Sequence, residues 1–374
     1  MTVHTHRRYA RAARTLAALT GAGAVVFGLA ACSDGPSDAE NNTVSDAAQE
    51  KLSKATGTLV AEGASSQQKA MDIFGNAYSN AVDGASFSYT PSGSGAGQKQ
   101  FIAGQVAFGG SDSPLKDEQI EAAAKRCGGN EAWHLPMVIG PVGVAYKLDG
   151  VDKVTLTPEL IAKIFKGEIT NWNDPALAAM NDNLPDKPIS VIYRSEESGT
   201  SDNFQKFLKA ATGGFWDTTG KAFPSATGAG ANGSTGVVGQ VQSIDGAITY
   251  VEAGFATEAG LNIADIDFGE GPVELNPESV GVALNNLTFK TEGHNMVVDS
   301  TKLFEMKTKG AYPLVLTTYE IVCSAGYDEN TKNQVKDFLT VALESQNSDL
   351  EEAGYIPVSG EYKDKLAAAV EAIN

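Results

Sequence analysis

Apolar positions along this chain fall alternately into short strand-like runs and longer helical stripes. Thr58–Ala61 reads as a strand, and behind it Gln67–Val82 places Ala70, Ile73, Phe74, Ala77 and Ala81 on one helical face. Ser86–Tyr89 alternates with period two, and a helix-like stretch then leads to the strand Val106–Phe108. Further on, Ile189–Tyr193 is rich in β-formers, and Phe204, Phe207, Leu208 and Ala211 mark one face of the helix that follows. Strands alternating with helices predict α/β layers with largely parallel sheets.

The first residues break this pattern. Residues 1–31 carry Arg7, Arg8, Arg11 and Arg14 and no acid, then an apolar run from Leu16 to Ala30. That run is too short to span a bilayer comfortably, and basic-then-apolar is the order of an export signal. It closes on Leu29-Ala30-Ala31-Cys32, which resembles a bacterial lipobox, with Cys32 as the lipidation site. Residues 32–52 predict an acidic flexible tether. Ser33 to Glu50 has no aromatic residue, and its 18 residues would reach roughly 23 Å as flexible chain. The expected location is extracytoplasmic, anchored by lipid to the outer face of the cell membrane.

Charge and cysteine usage narrow the classes. The 374 residues include 28 Lys+Arg and 46 Asp+Glu, a net charge of −18. Removing residues 1–31 takes away four arginines and no acid, which leaves 24 bases against 46 acids and a charge of −22. Nucleic acid requires a basic footprint, so it is not an expected partner. Beyond Cys32, Cys127 and Cys323 remain, and in an exported chain an even remainder predicts a disulfide; two buried free thiols are the alternative. His134 and His294 are the histidines left after processing, and no Cys/His cluster has ligand spacing, so neither metal nor cofactor is expected.

Four strand ends share one chemistry. The loops Gly63-Ala64-Ser65-Ser66, Ser92-Gly93-Ser94-Gly95-Ala96-Gly97, Gly109-Gly110-Ser111-Asp112 and Arg194-Ser195-Glu196-Glu197-Ser198-Gly199-Thr200-Ser201 each have a helix after them or close by. In open α/β sheets the ligand sits beyond the carboxyl ends of strands. Helix N-termini there present free N–H groups and a positive dipole end, which suits an anion. Ser65, Ser94, Ser198 and Thr200 add hydroxyl donors, and Arg194 adds a fork of donors matched to an oxyanion. A single such loop is ordinary turn or capping chemistry. Four of them, with one Arg and one Asp, point to an oxyanion site.

These four segments in this order resemble the phosphate-binding lipoprotein of the bacterial high-affinity phosphate ABC transporter, the PstS family. Ile164-Phe165-Lys166-Gly167-Glu168-Ile169, Trp172-Asn173-Asp174, Gly246-Ala247-Ile248-Thr249-Tyr250 and Gly354-Tyr355-Ile356-Pro357 agree with it, so the likeness covers roughly residues 55–370. It implies an α/β, two-lobed periplasmic-binding-protein fold of type II, each lobe a mixed sheet flanked by helices, with the ligand in the cleft. Lobe 1 is expected over 53–140 and 301–374, and lobe 2 over 141–300, which puts Cys127 and Cys323 in one lobe. The resemblance implies phosphate contacts from Ser65, Ser66 (by its backbone N–H), Ser94, Arg194, Ser198, Gly199 and Thr200, with Asp112 accepting the anion's own proton. It also implies partners in the permease subunits of the importer. Family members often have Thr then Phe where this chain has Ser65-Ser66, and an Asp beside the arginine where Glu196 stands.

Two other functions fit parts of the pattern. A receptor for another tetrahedral oxyanion would share the donors, but a carboxylate such as Asp112 has nothing to accept from a fully ionised anion. A phosphomonoester hydrolase using Ser94 or Ser198 would need a base, and neither remaining histidine lies in these loops. The expectation is a binding protein and not an enzyme.

Overall fold

The computed structural model describes residues 44–374 apart from 225 and 286. The expected export signal and the Cys32 lipid site lie outside the described residues. The strands are β1 (Gly57–Gly63), β2 (Ala85–Thr90), β3 (Phe108–Ser111), β4 (Ala132–Lys147), β5 (Thr155–Leu156), β6 (Ser190–Arg194), β7 (Ala229–Ala231), β8 (Ala247–Glu252), β9 (Asn262–Ile263), β10 (Asp265–Asp267), β11 (Pro272–Val273) and β12 (Val315–Cys323). They form a main sheet of order β2-β1-β3-β12-β4-β8-β6-β7, with β9 also on β4, and a small sheet β11-β10-β5.

The 16-residue β4 joins two half-sheets into a two-lobed α/β fold. Ala132 to Pro141 pair antiparallel with β12, and Val142 to Lys147 pair antiparallel with β8. Nearly all of β4 is buried, so its sequence is a continuous apolar run instead of an alternating one. Prolines are tolerated in it because the ladder is already interrupted: the register with β12 shifts opposite Pro136, and Pro141 marks the change of partner. The largely parallel sheets expected from the alternation hold only on the flanks, where β1 pairs β2 and β3, and β6 pairs β7 and β8. The centre, β3-β12-β4-β8, is antiparallel because β12 and β4 are long buried strands not followed by a crossover to a parallel neighbour.

Local chemistry starts and stops the helices. Pro158–Lys166 begins with Thr157 capping the Leu160 N–H and Pro at its first position, and ends on left-handed Gly167. Its apolar face meets Phe204, which stacks on Tyr250 of β8 at 4.4 Å between ring centres. Under the first half-sheet, Phe87, Phe108 and Phe338 stack in the same way.

Cys127 and Cys323 form the disulfide, tying the end of the helix Asp117–Arg126 to the end of β12 with Cα atoms 5.3 Å apart. The expected tether is shorter than the sequence suggests. Ala48 and Leu52, one helical turn apart, are buried, and Ser45, Lys51 and Ser53 bond to Glu344, Glu371 and Asp337. An apolar pair at i and i+4 is enough to seat residues 44–52 against the helices Glu329–Glu344 and Gly360–Glu371.

Candidate functional site

Three glycines bring the strand ends together. A side chain on Gly63 would overlap the Gly110 carbonyl, and one on Gly97 would strike Gly63 and Gly110, so β1, β3 and the helix Ser94–Ile102 meet backbone to backbone. This packing puts Ser65, Ser66, Ser94 and Asp112 side by side. From the other half-sheet, β6 ends in Arg194, β8 ends in Glu252, and the helices Gly199–Ala211 and Gly233–Ser243 start at the same point. Gly199 lies against Ser94 and Asp112 so closely that a Cβ would sit 2.4 Å from Ser94 Oγ and 2.6 Å from Asp112 Cβ.

Arg194 is the positive charge at this junction and is 2% exposed. Its Nη2 donates to Ser65 Oγ at 2.7 Å, and its Nη1 to Thr200 Oγ1 at 3.2 Å and Ser234 Oγ at 3.3 Å. Its Nε donates to Glu196 Oε1 at 2.6 Å, and Nη2 is ion-paired with the same carboxylate.

Asp112 is the nearby acid. Ser66 Oγ donates to its Oδ1 at 2.6 Å and Thr318 Oγ1 to the same oxygen at 2.7 Å; Ser94 Oγ is 3.3 Å from Oδ2. Its own N–H donates to Ser94 Oγ at 3.0 Å, and its carbonyl accepts from Asn203 Nδ2 at 2.7 Å. Burial pushes its carboxyl up to about 6, helped by the Glu252 charge and opposed by the Ser66 and Thr318 hydrogen bonds and by Arg194. The two halves close on each other around this centre. Gly95 N–H donates to the Glu197 carbonyl at 2.9 Å, Ser113 Oγ to Asp202 at 2.6 Å, and Lys221 Nζ to Gln98 at 2.8 Å. A cavity of about 490 Å³, lined by Asp112, Asn203, Lys206, Lys290 and Tyr319 among others, opens beside it.

A buried arginine and a buried carboxylate, ringed by hydroxyls and helix N-termini, thus meet at one junction of the two half-sheets. Residues 48–346 match the model of the PBP superfamily domain. The chain is 42% identical over 321 residues to the phosphate-binding protein PstS 3 of Mycobacterium tuberculosis (strain ATCC 25618 / H37Rv), covering 84% of this chain and 86% of the relative. The chain belongs to the PstS family. It is also 41% identical to phosphate-binding protein PstS 2 of the same strain, over 84% of this chain and 87% of that one. Among solved structures, the phosphate-binding protein from Stenotrophomonas maltophilia shares the fold, with a TM-score of 0.61 at 22% identity, over 84% of this chain and 94% of that one. A high-affinity periplasmic phosphate-binding protein crystallised with phosphate at pH 8.5 gives a TM-score of 0.65 at 20% identity, over 83% and 93%.

The structure brings Ser65, Ser66, Ser94, Asp112, Arg194, Ser198, Gly199 and Thr200 to this one junction of the half-sheets, with details the sequence did not disclose. Ser66 directs its hydroxyl at Asp112, and its carbonyl accepts from Tyr355 at 2.6 Å. Ser198 caps its helix by accepting from Ser201 N–H at 3.2 Å, and its backbone N–H donates to the Lys221 carbonyl. Glu196 takes the buttressing position beside the arginine, one methylene longer than Asp. Ser234, Glu252, Thr318 and Asn203 were missed. Ala231-Asn232-Gly233-Ser234 repeats the strand-then-Gly-Ser signal of the other loops and was readable on that basis. Thr318 and Glu252 lie within fully buried strands, where nothing local sets them apart.

Proposed function

We propose that this protein is an extracytoplasmic receptor that binds inorganic phosphate between its lobes and hands it to the permease of an ABC importer. The observation that carries this is the convergence of Arg194, Asp112 and at least five hydroxyls on one buried point between the two half-sheets. The relatives PstS 3 and PstS 2, both phosphate-binding proteins, support phosphate as the anion.

In this reading Arg194 supplies the full countercharge, and Ser65, Ser94 and Thr200 turn their hydroxyls to phosphate oxygens. The N–H groups at Ser66 and Gly199 open their helices toward the same anion. Asp112 accepts the hydrogen bond of a phosphate OH, which a fully ionised anion cannot give. Lobe 1 spans 53–140 and 301–374 and lobe 2 spans 141–300, a division supported by the exchange of β4 partners between Pro141 and Val142. Closure is a hinge motion at that exchange. Cys32 carries the lipid that holds the receptor at the outer face of the membrane.

The role is binding without turnover. His134 Nε2 accepts from Leu115 N–H at 3.0 Å and its Nδ1 faces Asn295 at 2.9 Å, so this imidazole is engaged away from the serines a hydrolase would use. Calorimetry on anion-stripped protein tests the whole reading. One phosphate should bind per chain, sulfate at pH 7.5 should not compete, and Asp112→Asn should admit sulfate. Absence of phosphate binding, or equal binding of both anions by the parent, would reject it.

A further inference from the structure

Each serine or threonine hydroxyl has one proton to give, and in this site three of them run the same way. Thr200 Oγ1 donates to Glu252 Oε1 at 2.6 Å and Ser234 Oγ to Glu252 Oε2 at 2.7 Å. Ser234 has then spent its proton, so the 3.1 Å contact between Ser65 Oγ and Ser234 Oγ is donated by Ser65. Ser65 in turn accepts from Arg194 Nη2 and from the Ser234 N–H. The lone pairs of all three oxygens thus face Arg194 or backbone donors, and their protons lead to Glu252.

Glu252 is 1% exposed, at the end of β8, and these hydroxyls connect it to the guanidinium. Arg194 already pairs with Glu196. A carboxylate here adds negative charge to a cleft read above as taking an anion, and it draws on the same hydroxyl protons the anion needs.

Resting on the receptor reading, we propose that Glu252 is a specificity-determining residue: it competes with the bound anion for the protons of Thr200, Ser234 and Ser65, and its buried charge limits how much negative charge the cleft accepts. Glu252 therefore weakens binding of every anion while favouring those that bring a proton to Asp112.

The readout is the pH at which sulfate gains entry, since sulfate needs a protonated Asp112. Burial raises the Asp112 carboxyl to about 6 and Glu252 is the next cause. The other groups facing Asp112 are Arg194 from β6, Glu320 from β12, the phenols of Tyr89, Tyr319 and Tyr355, and the Asp202–Lys206 pair on the neighbouring helix. A substitution at Glu252 removes none of these groups, although Tyr355 feels its charge directly and Arg194 is linked to it through Thr200 and Ser234.

Phosphate and sulfate affinities are to be titrated from pH 5 to 8 on full-length parent, Glu252→Gln and Ser234→Ala. Glu252→Gln should bind phosphate at least threefold more tightly at pH 7.5, with its sulfate midpoint moved to lower pH. Ser234→Ala leaves the carboxylate with one hydroxyl fewer, so its midpoint should move to higher pH while phosphate affinity falls. Opposite shifts of the two midpoints support the proposal. If Glu252→Gln binds more weakly with an unmoved midpoint, the residue is only structural and the proposal is overturned. If that variant does not fold, an unmoved midpoint in Ser234→Ala overturns it equally. A parent that binds no phosphate rejects the receptor reading and this inference with it. A parent that binds while both variants keep its midpoint rejects this inference alone.

Discussion

Arg194 Nη2 and Ser65 Oγ, 129 positions apart in sequence, meet at 2.7 Å where the two half-sheets face each other. The guanidinium is the basic group of this junction and is held from behind by Glu196. Arg194→Ala should weaken phosphate binding by about 3–5 kcal/mol, because a buried anion would lose its full countercharge. Calorimetry showing a change within about 1 kcal/mol would mean that dipoles and hydroxyls balance the charge.

Closure depends on a missing side chain. An alanine at Gly199 would put its methyl 2.4 Å from Ser94 Oγ and 2.6 Å from Asp112 Cβ. Gly199→Ala should cost about 1–3 kcal/mol of phosphate affinity, as overpacking does, with little effect on the melting temperature of anion-free protein. Unchanged affinity would show that the liganded cleft is wider at this point.

Glu320 gives the fold a pH dependence between about 4.5 and about 8. It is fully buried on β12, takes one hydrogen bond from Gln67 Nε2 at 3.3 Å, and its other oxygen is without a partner. Burial pushes its carboxyl up to about 8; the Gln67 bond opposes this and the Asp112 charge adds to it. The folded protein therefore holds a proton that the unfolded chain releases near 4.5. Stability from this group is full below that value and is lost as pH rises through about 8. Glu320→Gln should melt close to the parent at pH 5 and several degrees above it at pH 9. A gap that does not grow with pH would assign the proton elsewhere.

The Cys127–Cys323 bond closes 196 residues of separation within the described fold. Replacing both cysteines by serine should lower unfolding free energy by about 2–4 kcal/mol. Denaturant titration should show this with phosphate affinity retained, since the bond ties the helix Asp117–Arg126 to the far end of β12 from Thr318.

On the reading that Cys32 carries a lipid, anchoring is separable from binding. Cys32→Ser should release the protein from membranes into the medium with its phosphate affinity intact. Fractionation that still finds the variant on membranes would place the anchor elsewhere.

The sequence by itself determined the local chemistry. Strand–loop–helix alternation, the Gly/Ser loops and the single Arg and Asp among them are short-range patterns, because turn geometry and helix starts are set by a few adjacent residues. Counting cysteines was enough to expect the disulfide, since two of the three remain once Cys32 is set aside as a lipidation candidate. Only the tertiary structure decided the rest. The antiparallel centre of the sheet comes from β4 and β12, which are buried along almost their whole length and so carry no alternation to mark direction or partner. Ala48 and Leu52 seat residues 44–52 on helices nearly 300 positions away, which no tether composition announces. Glu252 and Thr318 join the cleft through contacts spanning 52 and 206 positions. The direction of the hydroxyl protons, and the competition proposed for them, arises only once Ser65, Thr200, Ser234 and Glu252 are buried together.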